Sequence, residues 1–136
     1  ITMNDNENNN NNKKLDKQKI IDKINNYPDT ILADAADSIV RKPTDFPGLN
    51  TNDDRECHYW MDCPNNEFVF SISNYFRQLL SELAVEGKII IGVGYQVKLN
   101  RPESVEEANK IIDNGLGNTI QLFTEESLKR AMCKFA

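Results

Sequence analysis

The chain has 136 residues, 39% of them hydrophobic, with 16 Lys plus Arg against 21 Asp plus Glu and a net charge of −5. That size holds one domain. No stretch approaches the roughly 18 apolar residues of a membrane span, and the Asn-rich start is not the apolar core of a secretory signal. Three cysteines cannot all pair internally, so a disulfide-stapled mini-protein is excluded and a reducing, cytoplasmic compartment is expected.

The charge is unevenly spread. Residues 1–65 carry 8 basic and 12 acidic side chains, residues 66–100 carry 3 and 3, and residues 101–136 carry 5 and 6. Affinity for nucleic acid comes mainly from Lys and Arg neutralising phosphates, so a chain without a basic excess starts at a disadvantage for that role.

Ile1 and Thr2 ahead of Met3 read as additions before a native start. Residues 4–14 are almost all Asn, Asp, Glu and Lys, with no apolar surface to offset ordering, and are expected to form a disordered tail before a single domain at 15–136. Leu15, Ile20, Ile21, Ile24 and Tyr27 recur at helical spacing up to Pro28. Ile31, Leu32, Ala35, Ala36, Ile39 and Val40 give a second helical stripe, capped by Asp29 or Thr30, so an N-terminal αα-hairpin is expected. Residues 43–66 hold three prolines and an Asn and Asp cluster and read as a long loop, which a short strand or turn of helix near Tyr59 would interrupt.

The second half is more regular. Phe68, Phe70 and Ile72 alternate as in a strand; Ser73 caps a helix bearing Phe76, Leu79, Leu80 and Leu83, which Gly87 closes. Residues 88–93 read as a strand buried on both faces, followed by a Gly-bearing reversal and a return strand with Tyr95, Val97 and Leu99. Ser104 and Glu107 form a capping box opening a helix, residues 118–123 a last strand, and Thr124 caps a C-terminal helix.

The resulting order over 67–123 is strand, helix, strand, strand, helix, strand. It predicts an α+β fold with a ferredoxin-like β-α-β-β-α-β antiparallel sheet, in which the 67–72 strand pairs with the isoleucine run 89–91. Gly87, Lys88 and Ile89 at the end of the first helix, with Ser104, Val105, Glu106, Glu107 and Ala108 opening the second, resemble phrases of RNA-recognition-motif domains. That family stacks bases on aromatics of its central strands, where this chain offers Tyr95 and has Val97 at the second position. Residues 71–99, with Phe76, Arg77, Leu80, Leu83, Glu86, Gly87, Lys88 and Ile89 before a hairpin, are similar to the recognition helix and wing of winged helix-turn-helix regulators. That resemblance implies Ser73, Asn74, Arg77 and Gln78 facing DNA, with Lys88 and Lys98 near phosphates.

Few residues fit a chemical template. Cys57, His58 and Cys63 are the metal-like cluster, with Cys133 far along the chain. Their five-residue gap and the adjacent Cys57–His58 pair are poor zinc geometry, so neither metal nor other cofactor is expected. His58 is the lone histidine, and sequence neighbours rarely meet as nucleophile and base, so no catalytic residues are assigned. Tyr59, Trp60 and Met61 stand in a polar stretch, and these residue types are enriched where proteins meet partners. The expectation is a non-enzymatic binding module, such as a phage or mobile-element inhibitor, recognising another protein or itself through those residues and the acidic first half. Nucleic-acid regulation is the alternative, and small-ligand sensing on a ferredoxin-like sheet a third.

Overall fold

Ile89, Ile90 and Ile91 are almost wholly buried, and a run buried on both faces belongs in the middle of a sheet. The computed structural model of the chain describes residues 2–26, 31–34, 39–40, 58–60 and 69–134, with side chains placed at 13–26, 31–34 and 72–132. In chain order the elements are α1 (Thr2–Asn26), β1 (Ile31–Asp34), β2 (Ile39–Val40), β3 (His58–Trp60), β4 (Val69–Ser71), α2 (Asn74–Val85), β5 (Ile90–Val93), β6 (Lys98–Asn100), α3 (Val105–Gly115), β7 (Thr119–Phe123) and α4 (Glu125–Lys134). The fold is α+β, built on a five-stranded sheet of order β2-β1-β7-β5-β6 in which every neighbouring pair is antiparallel.

The expected order of strands and helices recurs from β4 to β7, but the sheet is not the ferredoxin-like one. β4 pairs with β3, Val69 opposite Trp60, in a separate two-stranded sheet, and does not join the isoleucine run. β1 takes a place in the main sheet instead, beside β7. Burial explains the order. β5 is inaccessible along most of its length, whereas β6 is exposed at Lys98 and Leu99, so β5 lies inside and β6 forms an edge. The strict ferredoxin-like order would have put β5 on the edge, paired with β6 alone, and β6 in the centre, so it is itself at odds with the expected pairing of 67–72 with the isoleucine run.

The expected αα-hairpin is also replaced. Residues 31–34 and 39–40 form an antiparallel pair of strands, Ala33 opposite Val40. Against β7 the register slips between Ile31 and Ala33, and such a bulge breaks strict alternation. Leu32 and Ala33 are consequently both buried in the same core cluster, which gives adjacent apolar residues the look of a helical stripe. The Asn-rich segment expected to be disordered forms the first part of α1, whose backbone is helical from Thr2. Extending a helix already nucleated costs far less than starting one, even with poor formers such as Asn.

The three later helices follow their capping signals. Ser73 Oγ accepts from the backbone N–H of Phe76 at 3.2 Å, and Ser104 Oγ accepts from that of Glu107 at 3.1 Å. Thr124 and Ser127 cap α4 reciprocally, each hydroxyl accepting from the other's backbone N–H. Gly87, at φ 75°, ends α2. Its N–H donates to Ala84 O at 3.1 Å and that of Lys88 to Leu83 O at 3.0 Å, the double closure of a Schellman motif that needs a left-handed residue.

One face of the sheet carries Ile91, Val93, Ile120 and Leu122 against Ile20 and Ile24 of α1, Phe76, Leu79, Leu80 and Leu83 of α2 and Ile112 of α3. α2 is the middle helix. Arg77 grips both carboxylate oxygens of Asp113 at 3.0 and 2.8 Å, and the buried Ser81 hydroxyl donates to Asn109 at 2.5 Å, tying α2 to α3. Tyr75 ties it to α1.

Candidate functional site

Asp16, Ile20 and Ile24 are fully buried; spaced by four, they form the core-facing stripe of α1. Leu15 stands about 140° away from Ile20 around the helix axis and is 54% exposed. Lys13, Lys14, Leu15, Lys17, Gln18 and Ile21 line one wall of an open groove of about 990 Å³, faced by Glu82 of α2, by Glu86 at its C-terminal cap and by Lys88 beyond it. Leu15 and Ile21 add apolar surface to a lining that is otherwise mostly charged.

The charges form a chain. Lys13 Nζ is 2.5 Å from Glu82. Lys17 Nζ bridges Glu82 at 3.1 Å and Glu86 at 2.7 Å, and Lys88 reaches Glu86 at 3.7 Å. Gln78 adds a hydrogen bond to Glu82 at 2.9 Å. Burial works against the Glu82 carboxylate, but the hydrogen bonds from Lys13, Lys17 and Gln78 outweigh it and hold its pKa below the ordinary range. Burial likewise opposes the Lys17 ammonium, and the hydrogen bonds to Glu86 and Glu82 more than reverse this, raising its pKa. On the core-facing side of α1 the Tyr75 hydroxyl donates to Asp16 at 2.5 Å. Its pKa is pushed up by burial first, then by that bond and by the negative charge of Asp16 and Glu82.

The residues singled out as DNA-facing are placed apart from one another in role. Ser73 is buried as the α2 cap. Asn74 accepts from Arg77 at 3.2 Å, and Arg77 also binds Asp113. Gln78 is hydrogen-bonded to Glu82. Lys88 lies on the groove rim, while Lys98 lies on the edge strand β6. Tyr95, expected on the return strand, sits in the β5–β6 turn and is 96% exposed. Tyr59 and Trp60 lie with His58 on β3, and Cys133 lies on α4. Met61, Cys57 and Cys63 fall outside the described residues.

Among the described residues no three His, Cys, Asp or Glu side chains gather to hold a metal ion, and no helix is long and apolar enough to cross a membrane. Apart from Lys88, expected near phosphates, the groove residues escaped the sequence reading, because Leu15 looks like one more member of an apolar stripe. The signal was its offset from Asp16, Ile20 and Ile24, together with the lysines that flank it at 13, 14 and 17. No family model, no curated protein and no solved structure matches the chain.

Proposed function

We propose that the protein is a non-enzymatic recognition module that binds another protein through the groove between α1 and α2. The observation that carries this reading is a half-exposed leucine among lysines in the wall of an open groove, on a chain whose overall charge is negative. Apolar surface ringed by charge is the usual anatomy of a contact patch. The groove's ionisable groups favour binding over turnover. Glu82 is held below the carboxylate range and Lys17 above the lysine range, and a general acid or base works best with a pKa near neutral. Tyr59, Trp60 and Met61 belong to the proposal as a second contact, on compositional grounds, as do a cytoplasmic setting and the option of a second copy as partner.

The test is partner capture by the full chain and two variants. Leu15→Glu is expected to abolish capture while leaving the melting temperature within about 2 °C of wild type, because the side chain is half in solvent. Trp60→Ala is expected to reduce capture in the same way. Undiminished capture by Leu15→Glu would remove the groove from the account, and recovery of nucleic acid in place of protein would remove the reading as a whole.

A further inference from the structure

We infer that Asn114 is a site of spontaneous covalent modification, deamidation through a succinimide, which the fold holds closed and which opening of the last turn of α3 releases. The inference is independent of the groove. Asn114–Gly115 is the one Asn-Gly step in the chain, and the Asn114 side chain is exposed. In the reaction the Gly115 amide nitrogen bonds to Asn114 Cγ, the Cγ–Nδ2 bond breaks, and ammonia leaves with the proton that the nitrogen gave up, passed through water. Water then opens the five-membered ring at either carbonyl and leaves aspartate or isoaspartate; nothing is oxidised or reduced. Glycine is the most permissive residue to follow the asparagine, since without a Cβ it hinders the attacking nitrogen least. Chemistry and exposure are thus both in place, and the backbone decides the rate.

Gly115 is the last residue of α3, and helical geometry directs its N–H at the carbonyl four residues back, not at the neighbouring side chain. Ring closure requires ψ of Asn114 to leave the helical region. A helix end ordinarily frays, but this one is fastened to the sheet. Gly115 is buried, and a Cβ there would stand 2.8 Å from Cγ1 of Ile120 on β7 and 3.3 Å from Cγ1 of Val93 on β5. Leu116 is buried and its N–H donates to Ile112 O at 3.0 Å, while the N–H of Asn118 donates to Gly115 O at 2.9 Å. Freeing the Gly115 nitrogen therefore means separating the end of α3 from β5 and β7, both of which have strand partners on either side. The same close fit makes the event one-way. Isoaspartate adds a methylene to the main chain between residues 114 and 115, where Ile120 and Val93 already crowd Gly115. A molecule that converts while open does not recover the packing of Gly115 and Leu116 when it closes.

The experiment follows the full chain in mildly alkaline buffer by mass spectrometry of the tryptic peptide 111–129, with fragmentation to locate the converted residue and chromatography to separate isoaspartate from aspartate. A synthetic peptide of residues 105–124 gives the unprotected rate. The folded chain is expected to convert Asn114 at least about tenfold more slowly than the peptide, and the chain unfolded in urea to match the peptide. Ile120→Ala, which empties the space beside Gly115, should speed conversion in the folded protein by at least about tenfold. Where that variant does not fold, Ile120→Val gives the same test with a smaller rise. Purified isoaspartate protein is expected to melt below wild type, whereas Asn114→Asp, which carries the new charge on a normal backbone, should melt within about 3 °C of it. A folded chain that converts at the peptide's rate, a peptide that keeps Asn114, or an Ile120 variant of lower stability and unchanged rate would each overturn the inference. So would isoaspartate protein that melts with wild type, or Asn114→Asp melting as low as the isoaspartate form, since the added charge would then account for the loss.

Discussion

Val97 has φ 53°, a left-handed conformation that a β-branched side chain enters at a cost of about 1–2 kcal/mol. Its surroundings hold it there. The Val97 N–H donates to Gly94 O at 3.0 Å, closing the turn that carries Tyr95. Its Cγ1 lies 2.7 Å from where a Cβ on Gly92 would stand, and Cε2 of Phe123 lies 2.9 Å from the same point. Glycine at position 92 thus lets a valine and a phenylalanine close over the strand, and that packing offsets the turn's strain. Gly92→Ala should cost about 1–3 kcal/mol by overpacking, since neither neighbour is the loose end of a long chain. In a Val97→Gly background one of the two clashes is gone, and the cost of Gly92→Ala should fall by about 1 kcal/mol. A double-mutant cycle in urea measures the difference, and strict additivity would refute this account of the turn.

Single helices carry their own instructions, and strand partners do not. α2, α3 and α4 were legible because each begins at a serine or threonine that accepts a backbone N–H and because their inward residues keep one helical face. β1 was misread because the bulge at 31–33 buries neighbouring residues together, a feature of its pairing with β7 that no local pattern announces. The crossing of α1 on α2 was equally hidden. One turn of α1 reaches from the first turn of α2 to its C-terminal cap, with Asp16 on Tyr75 and Lys17 on Glu86, so the groove joins stretches some sixty-five to sixty-nine positions apart. The Lys–Glu network across this crossing makes stability depend on pH. A carboxylate with a depressed folded pKa, as at Glu82, contributes stability above the unfolded value of about 4.3 and loses it as pH falls through the folded value. Lys17, with its pKa raised, contributes below the ordinary lysine value and loses that contribution as pH rises through the folded one. Glu82→Gln should therefore melt below wild type at neutral pH. Its melting temperature should also fall less than that of wild type between about pH 5 and about pH 2. Parallel curves for the two proteins would show that the network adds nothing to the fold.

Across the whole molecule, the sheet brings Asp34 opposite Thr119, so its middle is completed by the last strand of the chain. The sequence did hold one clue to this plan: an isoleucine run buried on both sides suits a central strand, and the ferredoxin-like order would have wasted it on an edge. β7 sits between β1 and β5, and β5 between β7 and β6, so each of these two strands has a partner on either side, and both carry the residues on which α1, α2 and α3 pack. β1 is weaker, since its ladder to β7 is interrupted by the bulge and its other partner, β2, is two residues long. β6 is three residues long and paired on one side only among the described strands. Opening of a folded protein begins where pairing is short and irregular. Native-state hydrogen exchange in mild denaturant should show the ladder amides of β5 and β7 exchanging only through global unfolding. Those of β1 and β6 should exchange earlier, through partial opening at lower free energy. If the β1 amides proved as slow as those of β5, the bulged strand would have to be part of the indivisible core, and its bulge a local adjustment with no cost in cooperativity.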